Sequence, residues 1–273
     1  MKKYEKTGYL HHDFKIFHLT DHEMSAYDFH YHDFHKLLFF LSGNVTYCIE
    51  GKSYQLTPGD LVLVRAGEVH RPVIHNTTPY ERMIIYVSPD FAVTSSDKTI
   101  FLNQCFLPSN VLHLSGMKER RLLDTMMELV HSFSEDSFAN EIYQNTLFLE
   151  FMIHLNRAAL SGTLQYEDSF QANEKILSVL TYMNEHLTED ITVDSLAEHF
   201  FTSRYYLMHS FKEQTGYTIG NYLSTKRLLF ARDLISSGTA VTDACFACGF
   251  HNYSTFLRAY KKQFGKSPRE MIS

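Results

Sequence analysis

The sequence predicts an α+β chain: an N-terminal β-barrel or jelly roll, a helical middle, and an all-α C-terminal domain with two helix-turn-helix motifs. Three observations carry this. Short apolar runs punctuated by Gly, Pro and Asn turns fill the first part of the chain, the mark of strands. Apolar residues then recur at three- and four-residue spacing, the mark of helices. Finally, Phe211–Gly216 (FKEQTG) is matched 49 residues later by Tyr260–Gly265 (YKKQFG), and such self-similarity indicates a duplicated supersecondary unit.

A length of 273 residues suffices for two domains and a connector. The expected boundaries are a barrel over 1–110, a helical linker or dimerisation region over 111–165, and the C-terminal domain over 166–273. No run of about 18 apolar residues is present, which excludes a membrane-spanning helix. Met1–Lys6 begins like a signal peptide, but Gly8–Asp13 (GYLHHD) offers no apolar core to follow it, so a cytoplasmic location is expected. Cys48, Cys105, Cys245 and Cys248 are too scattered for a disulfide framework. The net charge of −6 is uneven: residues 1–170 hold 14 Lys+Arg against 21 Asp+Glu, whereas residues 171–273 hold 11 against 10. The C-terminal part, at +1 against −7, is therefore the half that tolerates phosphate.

In the N-terminal half, Leu37–Leu41 is a buried strand and Ser42-Gly43-Asn44 its turn. Val45–Ile49, Ser53–Leu56 and Leu61–Val64 follow, separated by Glu50-Gly51-Lys52 and Pro58-Gly59-Asp60. Arg65–Glu68 turns again, and Tyr80–Val87 is the last clear strand. Two helical runs, Met117–Phe133 and Ala139–Leu160, come next. Ser161–Asn173 is polar and aperiodic, as a linker would be.

In the C-terminal half, Thr192 is placed to cap a short helix with Val193, Leu196, Ala197 and Phe200 inward. Thr202 or Ser203 caps the next helix, which Gly216 ends. The motifs span 192–214 and 241–263, joined by a long amphipathic helix over Ile219–Ser236. In the second copy Val241–Cys248 is the short helix, Gly249 the turn, Asn252 the cap and Pro268 a stop signal. Leu196-Ala197 matches Ala244-Cys245 at an offset of 48, one less than the helix that follows, so the extra residue falls in the turn. The outward faces hold Arg204, Tyr205, Met208, His209 and Lys212, then Tyr253, Ser254, Thr255, Leu257, Arg258, Lys261 and Lys262. An exposed helix of this kind fits the major groove, where base edges differ.

The tract from ITVDSLAEHFFTSRYYLMHSFKEQTGYTIGNYL to VTDACFACGFHNYSTFLRAYKKQFGKSPREM resembles the DNA-binding domain of the AraC/XylS family. The resemblance implies two recognition helices in successive major-groove segments of double-stranded DNA, read by Arg204, Tyr205, Met208 and His209 and then by Tyr253, Ser254, Thr255, Leu257 and Arg258, with Lys212, Lys261 and Lys262 as further DNA-binding residues on the same outward faces. It further implies a homodimer and RNA polymerase as a partner. Ala240 departs from it, standing where a capping Ser or Thr is common. Cys245 and Cys248 stand where small and aliphatic residues are usual; at i and i+3 on a packing face they read as buried thiols, not metal ligands.

His30-x-His32, Gly43, Gly59, Gly67 and His70 resemble the two motifs of the cupin barrel, a common sensory partner of such domains. The resemblance implies a ligand pocket lined by His30, His32 and His70, with Tyr47, Arg65 and Arg82 joining if the strand register allows. Carbohydrates are a frequent effector class among similar regulators. A cupin metal site would need a carboxylate near position 36, where Lys36 stands instead; His35 or His75 are the remaining substitutes. No metal or other cofactor is therefore expected. The alternative is a metal-dependent cupin enzyme with a helical appendage.

Overall fold

A computed structural model describes residues 10, 13–23, 26–95, 98–106, 110–114, 120–169 and 171–271. The signal-like start Met1–Lys6 lies outside the described residues. The chain divides into two compact units, Met1–Gln171 and Ala172–Ser273.

The first unit contains β1 (Phe14–Asp21), β2 (His35–Ser42), β3 (Val45–Ile49), β4 (Lys52–Gln55), β5 (Asp60–Val64), β6 (His70–Ile74), β7 (Tyr80–Val87), β8 (Ala92–Ser95), β9 (Lys98–Phe101) and β10 (Val111–His113). One antiparallel sheet runs β1-β7-β2-β5-β10, a second places β4, β3 and β6 side by side, and β8–β9 form a hairpin. Glu50 (φ 47°) and Gly51 (φ 78°) take the paired left-handed conformations of a two-residue hairpin turn between β3 and β4.

The apolar runs in β2 and β5 reflect a sheet covered on both faces. Leu38, Phe40, Val62 and Val64 face the second sheet and pack with Tyr47, Ile49 and Tyr80. Leu37, Phe39, Leu61 and Leu63 face the other way, onto α1 (Arg120–Ser132) and α2 (Asn140–Leu160), where they meet Leu122, Met126, Phe148 and Phe151. Burying each of these larger side chains contributes about 1.5–3 kcal/mol. The stretch expected as a linker, 111–165, is thus part of this unit's core: β10 pairs with β5, and both helices cover the sheet. Leu164 and Tyr166 of the expected polar linker also pack here, and the Tyr166 hydroxyl donates to the Cys105 carbonyl at 3.3 Å. Residues 117–119, the expected start of α1, lie outside the described residues.

Sequence patterning missed β1, β6, β8, β9 and β10. β1 lies at the edge of its sheet and is nowhere fully buried, so burial never imposed a strong apolar signature. β6 contains Pro72, which is tolerated because it too is an edge strand beside β3.

The second unit is all helical: α3 (Glu174–Glu185), α4 (Val193–His199), α5 (Arg204–Thr215), α6 (Ile219–Ser236), α7 (Val241–Ala247) and α8 (Tyr253–Phe264). Thr192 and Ser195 form a reciprocal capping box on α4, and Ser203, not Thr202, caps α5 by accepting from the Tyr206 amide. Asn252 caps α8 by accepting from the Thr255 amide at 2.9 Å, whereas Ala240 makes no side-chain cap on α7. Gly216 and Gly265, each at φ 74°, end α5 and α8.

The duplication is visible in the turns. α4 and α7 end alike, and each is followed by a residue with positive φ: Phe201 at 48° and Gly249 at 87°. Ser203 then caps in the first copy and Asn252 in the second, so the additional residue lies in the second turn. A Cβ on Gly249 would stand 2.9 Å from Nε of Arg227 and 3.0 Å from the Thr188 carbonyl oxygen. Arg227, on α6, donates Nε–H to the Leu187 carbonyl at 2.8 Å and its guanidinium to that of Glu189 at 2.5 Å. α6 thereby clamps the α3–α4 connection against the second motif's turn, which fixes the two motifs relative to each other.

Candidate functional site

In the first unit, strand register decides which side chains share the interior. Lys36 pairs with Val64 and Tyr86, Phe40 with Arg82, and Ile49 with His70, so Lys36, Tyr86, Arg82, Tyr47 and His70 all take the face between the sheets. The segment before β2 returns to this end: His30 and His70 exchange backbone hydrogen bonds at 3.1 and 2.8 Å. Candidate ligand nitrogens of His30, His32 and His70 consequently lie within 4.8 Å of one another. His32 stacks on Phe34 at 4.7 Å, and Tyr47 lies parallel to His70 at 6.0 Å between ring centroids.

Protonation is set locally. Nδ1 of His70 faces the Glu68 carbonyl oxygen at 3.0 Å and Nδ1 of His30 that of Asp28 at 2.9 Å. A carbonyl only accepts, so each Nδ1 carries the proton and each Nε2 presents a lone pair while the ring is neutral. Burial, then the Lys36 charge, lowers the His30 pKa to about 4 and holds His70 well below the ordinary imidazole range. Nε2 of His70 and the hydroxyl of Tyr47 are buried and accept or donate no hydrogen bond among the described residues. Burial raises the Tyr47 pKa well above the ordinary phenol value.

Lys36 is 6% exposed and makes no ion pair among the described residues; its ammonium sits 5.7 Å from the Tyr47 ring centroid. Burial, helped by the Arg82 charge, lowers its pKa to about 7. In number and spacing the three imidazoles could hold a divalent ion. The fourth position offers a cation rather than a carboxylate, which opposes a dication. The substitutes do not fill the gap: His35 accepts from the Ala66 amide at 3.1 Å and stacks on Phe106, and His75 is bound to Thr46 at 2.7 Å.

Of the expected pocket residues, Arg65 lies outside the interior, and Arg82 lies inside but is engaged. Arg65 follows β5 at the surface, with its side chain 47% exposed and paired to Glu68 at 2.7 Å. Arg82 is interior, but its guanidinium is engaged by Asp21 at 2.7 Å and the Tyr80 carbonyl at 2.8 Å, and its Nε has no partner among the described residues. Burial pushes the Asp21 carboxyl up, but hydrogen bonds from Tyr27 and Arg82 win and hold it below its ordinary value. Sequence reasoning treated Lys36 only as an obstacle to metal; the signal for its role is its even position in β2, opposite to Leu37 and Phe39.

In the second unit, Arg204, Tyr205, Met208, His209 and Lys212 are all exposed along one stripe of α5. Arg204 pairs with Asp194 at 3.0 Å with both side chains more than 60% exposed, an ion pair that water or phosphate readily replaces. Ser254, Thr255, Arg258, Lys261 and Lys262 form the corresponding exposed stripe on α8, which has no acidic residue. Tyr253 and Leu257 are half-buried against the second motif's core, so part of their surface is spent on packing. Cys245 and Cys248 are buried in that core, and burial raises the Cys248 pKa to about 11. Phe201, 93% exposed in the turn before α5, was not anticipated.

A family model described as an AraC-like ligand binding domain matches residues 14–152, and one described as a helix-turn-helix domain matches 196–273. The HTH-type transcriptional activator RhaS of Shigella sonnei is 27% identical over 253 residues, covering 89% of this chain and 86% of its own; that of Escherichia coli K12 is 26% identical over the same span. Among solved structures, the DNA-binding domain of AdpA in complex with a target DNA is 28% identical, covering 37% of this chain and 91% of that one at a TM-score of 0.35. ToxT of Vibrio cholerae is 15% identical over 96% of this chain and 98% of its own, with a TM-score of 0.38. None of the described helices is long and apolar enough to cross a membrane. The ligand-binding model alone spans just over half of the 273 residues and the relatives are regulators, not enzymes, so the chain belongs to the AraC family of DNA-binding transcription regulators.

Proposed function

We propose that the barrel takes a small-molecule effector at the His30–His32–His70 end, beside Tyr47 and without a resident metal. The stripes of α5 and α8 then read two successive major-groove segments on one face of the DNA. The observation that carries the DNA reading is the α6 clamp, which fixes two exposed recognition helices of one unit at a set separation. Contacts from the helix N-terminal turns reach base edges, and cations further along meet phosphates. The effector acts by binding one state of the regulator more tightly than the other. Exposed Met127, Ile142 and Ile153 on α1 and α2 support pairing of two copies through these helices. RNA polymerase is the further partner, and DNA as the target supports a cytoplasmic location.

Arg258 provides the test. Its position on the second turn of α8 allows a bidentate bond to guanine. Arg258→Ala should weaken binding to the upstream operator by about 1–3 kcal/mol and relax preference at one base pair. Unchanged affinity across a set of single-base operator variants, with the fold intact, would refute this docking.

A further inference from the structure

We infer that the effector is a polyhydroxy acid, its carboxylate paired with Lys36 and its hydroxyls bonded to His70, His30 and Tyr47. The inference rests on the reading that this end of the barrel is the effector site. A lysine 6% exposed, without an ion pair among the described residues, is an unmet demand for an anion. The carboxylates of neighbouring segments are used: Asp21 by Arg82 and Tyr27, Glu68 by Arg65 and Asn110, and Glu50 by the Val69 amide. The charge acting on Lys36 is that of Arg82, and the largest acting on His30 and His70 is that of Lys36; both are cationic.

The other polar atoms specify the rest of the ligand. Nε2 of His70 is a buried acceptor with its Nδ1–H already given to the Glu68 carbonyl, and Nε2 of the half-buried His30 is likewise left to accept, its Nδ1–H going to the Asp28 carbonyl. Each calls for an O–H or N–H donor. The Tyr47 hydroxyl, buried and unbonded, donates or accepts as a ligand hydroxyl requires. One anionic group beside several hydroxyls describes a sugar acid. A neutral sugar would satisfy the histidines but leave Lys36 buried and unpaired. A divalent metal would satisfy the imidazoles but add charge beside Lys36. A phosphate dianion would meet one ammonium only, since Arg82 is engaged by Asp21.

Titration calorimetry on the full-length protein tests this with D-gluconate, D-glucuronate and D-galacturonate. The controls are D-glucose, D-galactose, D-glucose 6-phosphate and zinc chloride. At least one acid should bind at least about 30-fold more tightly than its neutral parent, the range of a charge-assisted hydrogen bond. Lys36→Met should abolish that preference, and Tyr47→Phe should weaken the acid by about 10-fold. The wild-type comparison of acid with neutral parent needs no variant to fold. A neutral sugar, the sugar phosphate or zinc binding more tightly than every acid overturns the proposal while leaving the barrel as an effector site. Failure of every compound to bind overturns both.

Discussion

Lys36→Met should stabilise the free protein. A lysine whose pKa falls from 10.5 to about 7 on folding carries a penalty of about 4 kcal/mol at pH 7, at 1.36 kcal/mol per tenfold change. The unfolded chain binds more protons than the folded one between these values, so stability rises with pH across that window. The penalty is fully present below about pH 7 and gone above about pH 10.5. Methionine keeps the linear apolar stem and removes the charge, so part of the penalty is recovered: about 1–3 kcal/mol, or roughly 3–10 °C in the melting of the first unit. The advantage should shrink by about 2 kcal/mol between pH 7 and pH 9. Arg82, Tyr86, Tyr47, His30, His32 and His70 face the same interior; His30 and His70 feel the Lys36 charge, but burial, the larger cause, holds both well below pH 7, so they stay neutral in both proteins between pH 7 and pH 9. Scanning calorimetry at the two pH values, without added ligand, reads both quantities. A variant less stable than wild type at pH 7, or a difference that does not change with pH, would refute the account of Lys36 as a buried, uncompensated cation.

Equivalent turn positions should respond unequally to alanine. Gly249→Ala adds a Cβ at φ 87° and 2.9 Å from the Arg227 clamp, and should cost about 2–3 kcal/mol in urea melts of the second unit; Phe201→Ala exchanges one exposed side chain for another at the same φ and should stay within about 0.5 kcal/mol. Equal costs at the two positions would mean that the clamp does not depend on the turn. Residues 172–273 expressed alone should bind upstream DNA with a steep salt dependence, each phosphate contact adding about 0.9 to the slope of log affinity against log salt. Salt-independent binding, or none by a folded fragment, would remove the C-terminal unit as the DNA reader.

What was legible in the sequence was whatever a single residue type had to supply. The bounds of α6, the caps Thr192 and Asn252, the glycines at 216 and 265, and the extra residue in the second turn follow from local chemistry, and the structure places all of them as the pattern implied. The histidine cluster was legible through the resemblance to the cupin motifs; in the structure His30 and His32 lie beside the same partner, His70. Strands were most legible where burial was two-sided. β2 and β5 announce themselves, while β1, with one face toward solvent, and β10, three residues long, leave too little periodicity to read.

The errors in the site share one cause: residue type was read without its face. Arg65 and Lys36 look alike in sequence, two cations near a presumed pocket. Lys36 lies within β2, where the alternation fixed by Leu37 and Phe39 packing on the helices forces it inward. Arg65 lies one residue past β5, where Val64 already takes the inward position, so its charge goes to Glu68 and water. The same alternation accounts for the chemistry of the site. An inward lysine with no ion pair among the described residues is costly in the free protein, and at 6% exposed it has little water to offset that cost. A cost of that kind is met at the moment an anion binds, so the residue that weakens the empty barrel is the one that makes it respond to a charged effector. That trade separates Lys36 from a packing lysine: its removal should strengthen the fold and abolish the preference for acid over neutral sugar in the same variant.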